Sequence, residues 1–237
     1  MNNTNNMSAR MSFDIARQVL FAAWIDSFKG DAKACSDWVN NRKLSQSEIR
    51  LEVVLTTTSN QFTFGVTPNQ ASSSGVVFST EQRLNLQDSL IGSEYGIFVG
   101  QPTTSSINDH AWKLNTYGDT QIFAAADALA LDSTFYSNGY FQMKVNNDVI
   151  IPYRGLFNHW YVPQTQATAP IGAGSPKTQI RGAEDGMITQ EPNILLIGSK
   201  NYVPQIVLPG NLASAAANLR AVLIIRGVLA QNSTVIN

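Results

Sequence analysis

The stretch AVLIIRGVLA, residues 221–230, constrains the fold more than any other part of the chain. It is too apolar for a strand with one face in water, and far short of the ~20 residues a helix needs to cross a bilayer. It is expected to be a strand at the centre of a sheet, covered on both faces. Its one charged residue, Arg226, then needs a partner or a route to solvent. A strand of this kind demands flanking strands, and the sequence from residue 47 onward supplies them.

Residues 50–58 (RLEVVLTTT) read as a strand, Ser59-Asn60 as a turn, and residues 61–66 (QFTFGV) alternate with period two. A short strand is expected at 76–78, and two more within 83–99 on either side of a Gly92-Ser93 turn. Further strands are expected at 112–115 and 120–123, with a short helix over 124–131. Residues 139–153 alternate cleanly around an Asn-rich turn at 146–148 and read as a hairpin. Residues 156–161 (LFNHWY) read as a loop anchor or short helix, and 163–186 as the longest irregular stretch. Strands at 193–198 and 204–208 precede the final apolar one. The total, ten to twelve short strands with turn signals between them and no βαβ alternation, is that of a sandwich or barrel.

The N-terminal part differs. Residues 1–11 are Asn-rich and expected to be a flexible arm. Ser12 is placed to cap a helix whose apolar residues Ile15, Ala16, Val19, Leu20, Ala23 and Trp24 recur at helical spacing, with Gly30 near its end. A second helical piece is expected over 32–40. The polar face lacks the Lys and Arg of a helix lying on a membrane, which favours packing against protein. The organisation is therefore an arm (1–11), a helical segment (12–45) and a β-sandwich (46–237), the last being one unit or two small ones.

Charged residues make up 14% of the chain, against a usual ~25%, and Asn, Gln, Ser and Thr supply the polarity instead. Neutral polar surface is desolvated more cheaply than charge, so this composition favours extensive subunit contacts. The net charge of −1 and pI of about 6.1 give no basic patch for nucleic acid. The first residues lack the order of a signal peptide, so synthesis in a cytoplasm without a classical export signal is expected. Cys35, the only cysteine, reads as a small buried residue on a helix.

Nothing in the pattern spells catalysis, and no enzyme, cofactor or metal site is expected. Asp109-His110 resembles half a dyad but reads better as a loop turn, since no serine lies in a G-x-S-x-G context. His159, between Asn158 and Trp160, reads as a packed, hydrogen-bonded histidine. Glu184-Asp185 offers carboxylates without the ligand alternation of a calcium loop. The glycine-rich stretch 172–177 lacks phosphate-loop spacing, and Pro176 removes a donor. Trp112, Tyr117, Phe135, Tyr136, Tyr140, Phe157, Trp160 and Tyr161 could build a carbohydrate platform, but core and subunit contacts are the preferred reading. Phe13, Phe21, Trp24, Phe28, Trp160 and Tyr161 are taken as the assembly contacts.

Three stretches carry a resemblance: LNLQDSLIGSEYGIFVGQP (84–102), GYFQMKVNNDVIIPY (139–153), and PNILLIGSKNYVPQIVLPG with LRAVLIIRGVLAQ near the end. In layout they resemble the jelly-roll major capsid proteins of tailless bacteriophages. The resemblance implies a jelly-roll-type antiparallel sandwich or barrel behind an N-terminal amphipathic helix, assembling through many copies into an icosahedral shell. The implied partners are copies of the chain itself as a trimer or larger, other virion proteins, and an internal membrane; no specific nucleic-acid binding is implied. The implied location is the virion, after synthesis in the host cytoplasm. The length departs from the pattern of two complete eight-strand rolls. The alternatives are a tail, spike or decoration subunit, and a glycan-binding sandwich.

Overall fold

The computed structural model describes residues 4–67, 83–102, 113–145, 148–160 and 186–234. Among them are eight strands: β1 (Lys43–Val54), β2 (Gln61–Thr63), β3 (Ser89–Gly100), β4 (Tyr140–Val145), β5 (Asp148–Gly155), β6 (Met187–Ile197), β7 (Tyr202–Val207) and β8 (Arg220–Gln231). They form two antiparallel four-stranded sheets, ordered β1-β8-β3-β6 and β2-β7-β4-β5. The pairing has a simple rule. The first strand pairs with the last, the second with the seventh, the third with the sixth and the fourth with the fifth.

One core lies between the sheets, and period-two alternation puts it there. Ile49, Leu51 and Val53 of β1, Tyr95, Ile97 and Val99 of β3, and Leu223 and Ile225 of β8 meet Phe62, Phe141, Met143 and Ile206 of the facing sheet. As expected, β8 is central, between β1 and β3, and buried on both faces. Its outer side chains Val222 and Ile224 pack with Phe98. Arg226 reaches the surface, where its Nε donates to Glu48 Oε2 at 2.9 Å. A second arginine of the strand, Arg220, is fully buried and donates to Glu52 at 2.9 Å.

Several boundaries differ from expectation. Residues 83–99 hold one strand, not two. Gly92-Ser93 is a β-bulge inside β3, where the register slips between Gly92 and Glu94 against both neighbours. A Cβ on Gly227, which faces Gly92 across the ladder, would stand 1.9 Å from the Ile91 carbonyl oxygen, so the strands close in here only because both residues are glycine. β1 begins at Lys43, earlier than the apolar pattern suggests, because its first residues lie on a sheet edge where polar side chains meet water. Residues 113–115 give a single bridge, Asn115 to Val99, and 120–123 form turns held by the Asp119 carboxylate and carbonyl. The expected helix is α3 (Ala125–Ala130), running on into a π-helical turn over Leu131–Tyr136. The expected strand at 76–78 and the irregular residues 163–185 lie outside the described residues.

Ahead of the sheets, α1 (Thr4–Trp24) starts well before Ser12. A 3₁₀ turn (Ile25–Phe28) follows, and the chain reverses at Lys29 and Gly30, both at positive φ. α2 (Ala32–Asn40) has the expected limits and is capped by Asp31, whose carboxylate accepts from the Ala34 N–H at 3.0 Å. The two helices lie on the outer face of the first sheet, where Ala16, Leu20, Cys35 and Val39 close over Ile91, Val228 and Ala230.

Candidate functional site

The expected contact residues fall into two places. Phe13, Phe21, Trp24 and Phe28 are half-buried in the chain's own helix-on-sheet cluster. Trp24 and Phe28 both rest on Trp38, at ring-centroid distances of 6.2 and 5.7 Å. Arg42 caps the same indole at 4.8 Å. This side of the molecule is therefore packed against itself. Cys35 is buried beneath it, its Sγ donating to the Phe21 carbonyl and its pKa raised by burial.

Trp160 lies elsewhere, at a corner following β5. There a 3₁₀ turn (Leu156–His159) carries Phe157 outward, and the Phe157 and Trp160 rings stack with centroids 5.6 Å apart and planes 21° apart. The Trp160 indole N–H donates to Asp132 Oδ1 at 3.2 Å, an oxygen that also takes the Gly118 N–H at 2.7 Å, so the ring is held in place. In the strand that precedes this turn, Tyr153 of β5 meets Tyr140 of β4 edge-on at 4.7 Å. Tyr153 and Phe157 are 69% and 59% exposed and Trp160 38%. Four of the seven large apolar side chains exposed among the described residues, these three and Val149, fall within β5 and this corner. Tyr161 and Trp112 lie outside the described residues. Tyr117, Phe135 and Tyr136, also candidates for a ligand platform, are instead buried.

The outer face of the second sheet continues from this edge. On β4, Gln142 alternates with Tyr140 and is buried; its Nε2 donates to Gln205 Oε1 of β7 at 3.0 Å. Gln205 in turn donates to Gln61 of β2 at 3.3 Å. A ladder of neutral amides thus crosses three strands. Sequence reasoning missed it, because a glutamine's partner is set by register across residues distant in sequence and nothing local announces it.

The outer face of the first sheet is of different character. Besides the helical cover it carries the Glu48–Arg226 and Glu52–Arg220 ion pairs, and a concavity of about 420 Å³ lined by Glu48, Ser93, Glu94 and Arg226 among others.

His159 is the one described histidine and, as expected, is packed. Its Nδ1 lies 3.1 Å from the Gly186 carbonyl and its ring meets Tyr95 edge-on at 5.2 Å. Burial is the main reason its pKa is held down to about 4, with nearby Arg154 acting in the same direction and the Gly186 hydrogen bond opposing both. A ring so enclosed is kept neutral and fastens the aromatic corner to β3. Among the described residues no group of three or more His, Cys, Asp or Glu side chains could hold a metal ion, and no helix is long and apolar enough to cross a membrane. Asp109, His110, Glu184, Asp185 and residues 172–177 lie outside the described residues.

Comparison of the chain with protein-family models, with curated proteins and with solved structures finds no match.

Proposed function

We propose that this chain is a jelly-roll virion structural protein, a capsid subunit that assembles with copies of itself into an icosahedral shell. The observation that carries the reading is the strand pairing, first with last through to fourth with fifth, with successive pairs falling in alternate sheets. A long four-pair hairpin rolled in this way is what an eight-stranded jelly roll requires, and that architecture serves viral capsids and lectins. The step from architecture to role is one of fold analogy. The low charge of the chain and the exposed aromatic edge add physical support, since both suit repeated subunit contacts. In this reading the sandwich supplies shape, and many weak symmetric contacts add up to a stable assembly in which the chain acts as structure and not as a catalyst. Other virion proteins and an internal membrane are the further partners it would meet.

Light scattering and electron microscopy of the purified chain test the proposal. Uniform closed particles of megadalton mass are expected. A ring or spike would select a tail, spike or decoration subunit, and a monomer at all concentrations would count against both. The stacked, exposed Phe157–Trp160 pair favours one second reading, a lectin-like sandwich. Glycan-array binding that disappears in Trp160→Ala, from a chain forming no particles, would establish that reading in place of the first.

A further inference from the structure

A histidine fastens the turn that follows β5. His159 Nδ1 lies 3.1 Å from the Gly186 carbonyl oxygen, which can only accept, so that nitrogen carries the ring's proton. The Gly186 oxygen in turn lies close over β3, 2.9 Å from where a Cβ on Gly96 would stand. His159 Nε2 is buried and has no hydrogen-bond partner, and neither has the hydroxyl of the adjoining Tyr95. We propose that the His159–Gly186 contact is an acid-sensitive clasp: a second proton on the imidazole breaks it and lifts residues 156–160 from β3 and β6 while both sheets stay intact. The clasp goes beyond the shell reading and does not depend on it.

Two features require the clasp to open before the ring can be charged. The first is the place left for the proton. Only Nε2 can take it, and in the closed state that N–H would be a charged donor with nothing to bond and no water beside it. The second is the surrounding charge. β3, β6 and the π-helical turn Leu131–Tyr136 pack against the histidine's turn. On β3, Tyr95 is neutral, and Glu94 alternates with it and points to the other face. Glu191 of β6 is exposed. Asp132 is held by the Gly118 N–H and the Trp160 indole, and Tyr136 donates to the Asn115 carbonyl. The one charge among these groups and β5 that bears on the imidazole is that of Arg154, and it repels a second cation. Burial, opposed by the Gly186 bond and assisted by Arg154, holds the closed ring's pKa down to about 4.

The turn can leave without taking the sheets with it. The ladders of β3 run to β6 and β8, and the turn forms no part of them. Besides the clasp, its ties among the described residues are the Leu156 N–H to the Gly139 carbonyl at 2.9 Å, the buried Leu156 side chain, and the Trp160 indole to Asp132. Phe157 and Asn158 are exposed. A short segment held this lightly opens at less cost than the whole fold.

Hydrogen–deuterium exchange of the full chain at pH 8 and pH 5, read by mass spectrometry and corrected for the intrinsic rate, tests this. With the ring's pKa at about 4 closed and ~6.5 open, the opening equilibrium of residues 156–160 should rise about 30-fold between the two. Amides of β8 should stay protected at pH 5. His159→Gln keeps a donor for Gly186 and takes no proton, so its turn should exchange alike at both pH values. His110→Gln leaves His159 as the only histidine and makes its ring readable by nitrogen NMR, whether or not the first variant folds. The proton should then sit on Nδ1 at pH 7, with no titration near 6.5. A proton on Nε2, titration near 6.5, exchange that does not rise, a rise shared by His159→Gln, or β8 exposed in step with the turn would each overturn the proposal. Glu184 and Asp185 precede Gly186 and lie outside the described residues. A rise abolished by Glu184→Gln with Asp185→Asn would assign the response to those carboxylates and overturn it as well.

Discussion

At the scale of single residues, three sites turn structure into measurable energies. His159 is neutral when folded, because burial holds its pKa near 4 against an ordinary 6.5. Between those values the unfolded chain takes up a proton that the folded chain refuses. Stability therefore falls as the pH drops from 6.5 and levels off below about 4, by roughly 3 kcal/mol in full. His159→Gln should remove this share of the pH dependence, visible as a flatter plot of urea midpoint against pH than the wild type gives. Glu52, 1% exposed, holds both Arg220, 2% exposed, and Arg50 at 2.9 Å, so removing its carboxylate takes a partner from two arginines at once, one of them in a dry place. Glu52→Gln should cost about 3 kcal/mol, and Arg220→Met less, because Glu52 then keeps Arg50 as its partner. Chemical denaturation measures both. At Gly227 an added methyl meets backbone, which has no rotamer to move into. Gly227→Ala should cost about 3 kcal/mol in the same assay, or prevent folding.

At the scale of elements, the helical cover makes the first sheet's outer face soluble. Leu20, fully buried, is its keystone against Ile91, Val228 and Ala230. Leu20→Ala should destabilise by about 3 kcal/mol, and it should raise binding of a hydrophobic dye to the exposed sheet, measured by fluorescence. The elements also separate what local sequence can announce from what it cannot. α2 was legible to the residue from its apolar spacing, and the Asp31 cap seen in the structure fixes the same start. So was the β4–β5 hairpin, whose alternation is regular and whose partners are adjacent in sequence. β8 was legible because only a strand buried on both faces tolerates AVLIIRGVLA. Gly92-Ser93 misled, since the same two residues that make a turn also make a bulge, and the choice depends on whether partner strands hold the chain straight on both sides. The aromatic corner was half legible. Trp160 stood out by type, whereas the edge contact of Tyr153 with Tyr140 is one that sequence spacing does not encode.

At the scale of the whole molecule, the outer faces of the two sheets differ. The covered face spends its apolar surface internally, on α1 and α2. On the second sheet's outer face Gln142 is buried and its amide is held by Gln205. The rule that pairs first strand with last has another result, in time and not in space. β1 finds no neighbour in its sheet other than β8, and β3 is joined to β1 only through β8. The first sheet is therefore incomplete until residues 220–231 have left the ribosome, and at ~5–20 residues per second the earlier strands wait many seconds for it. A nascent chain stalled just short of residue 220 should be cleaved readily by protease, and one released beyond residue 231 should become resistant. While it waits, the growing chain has apolar strands open to the wrong partners.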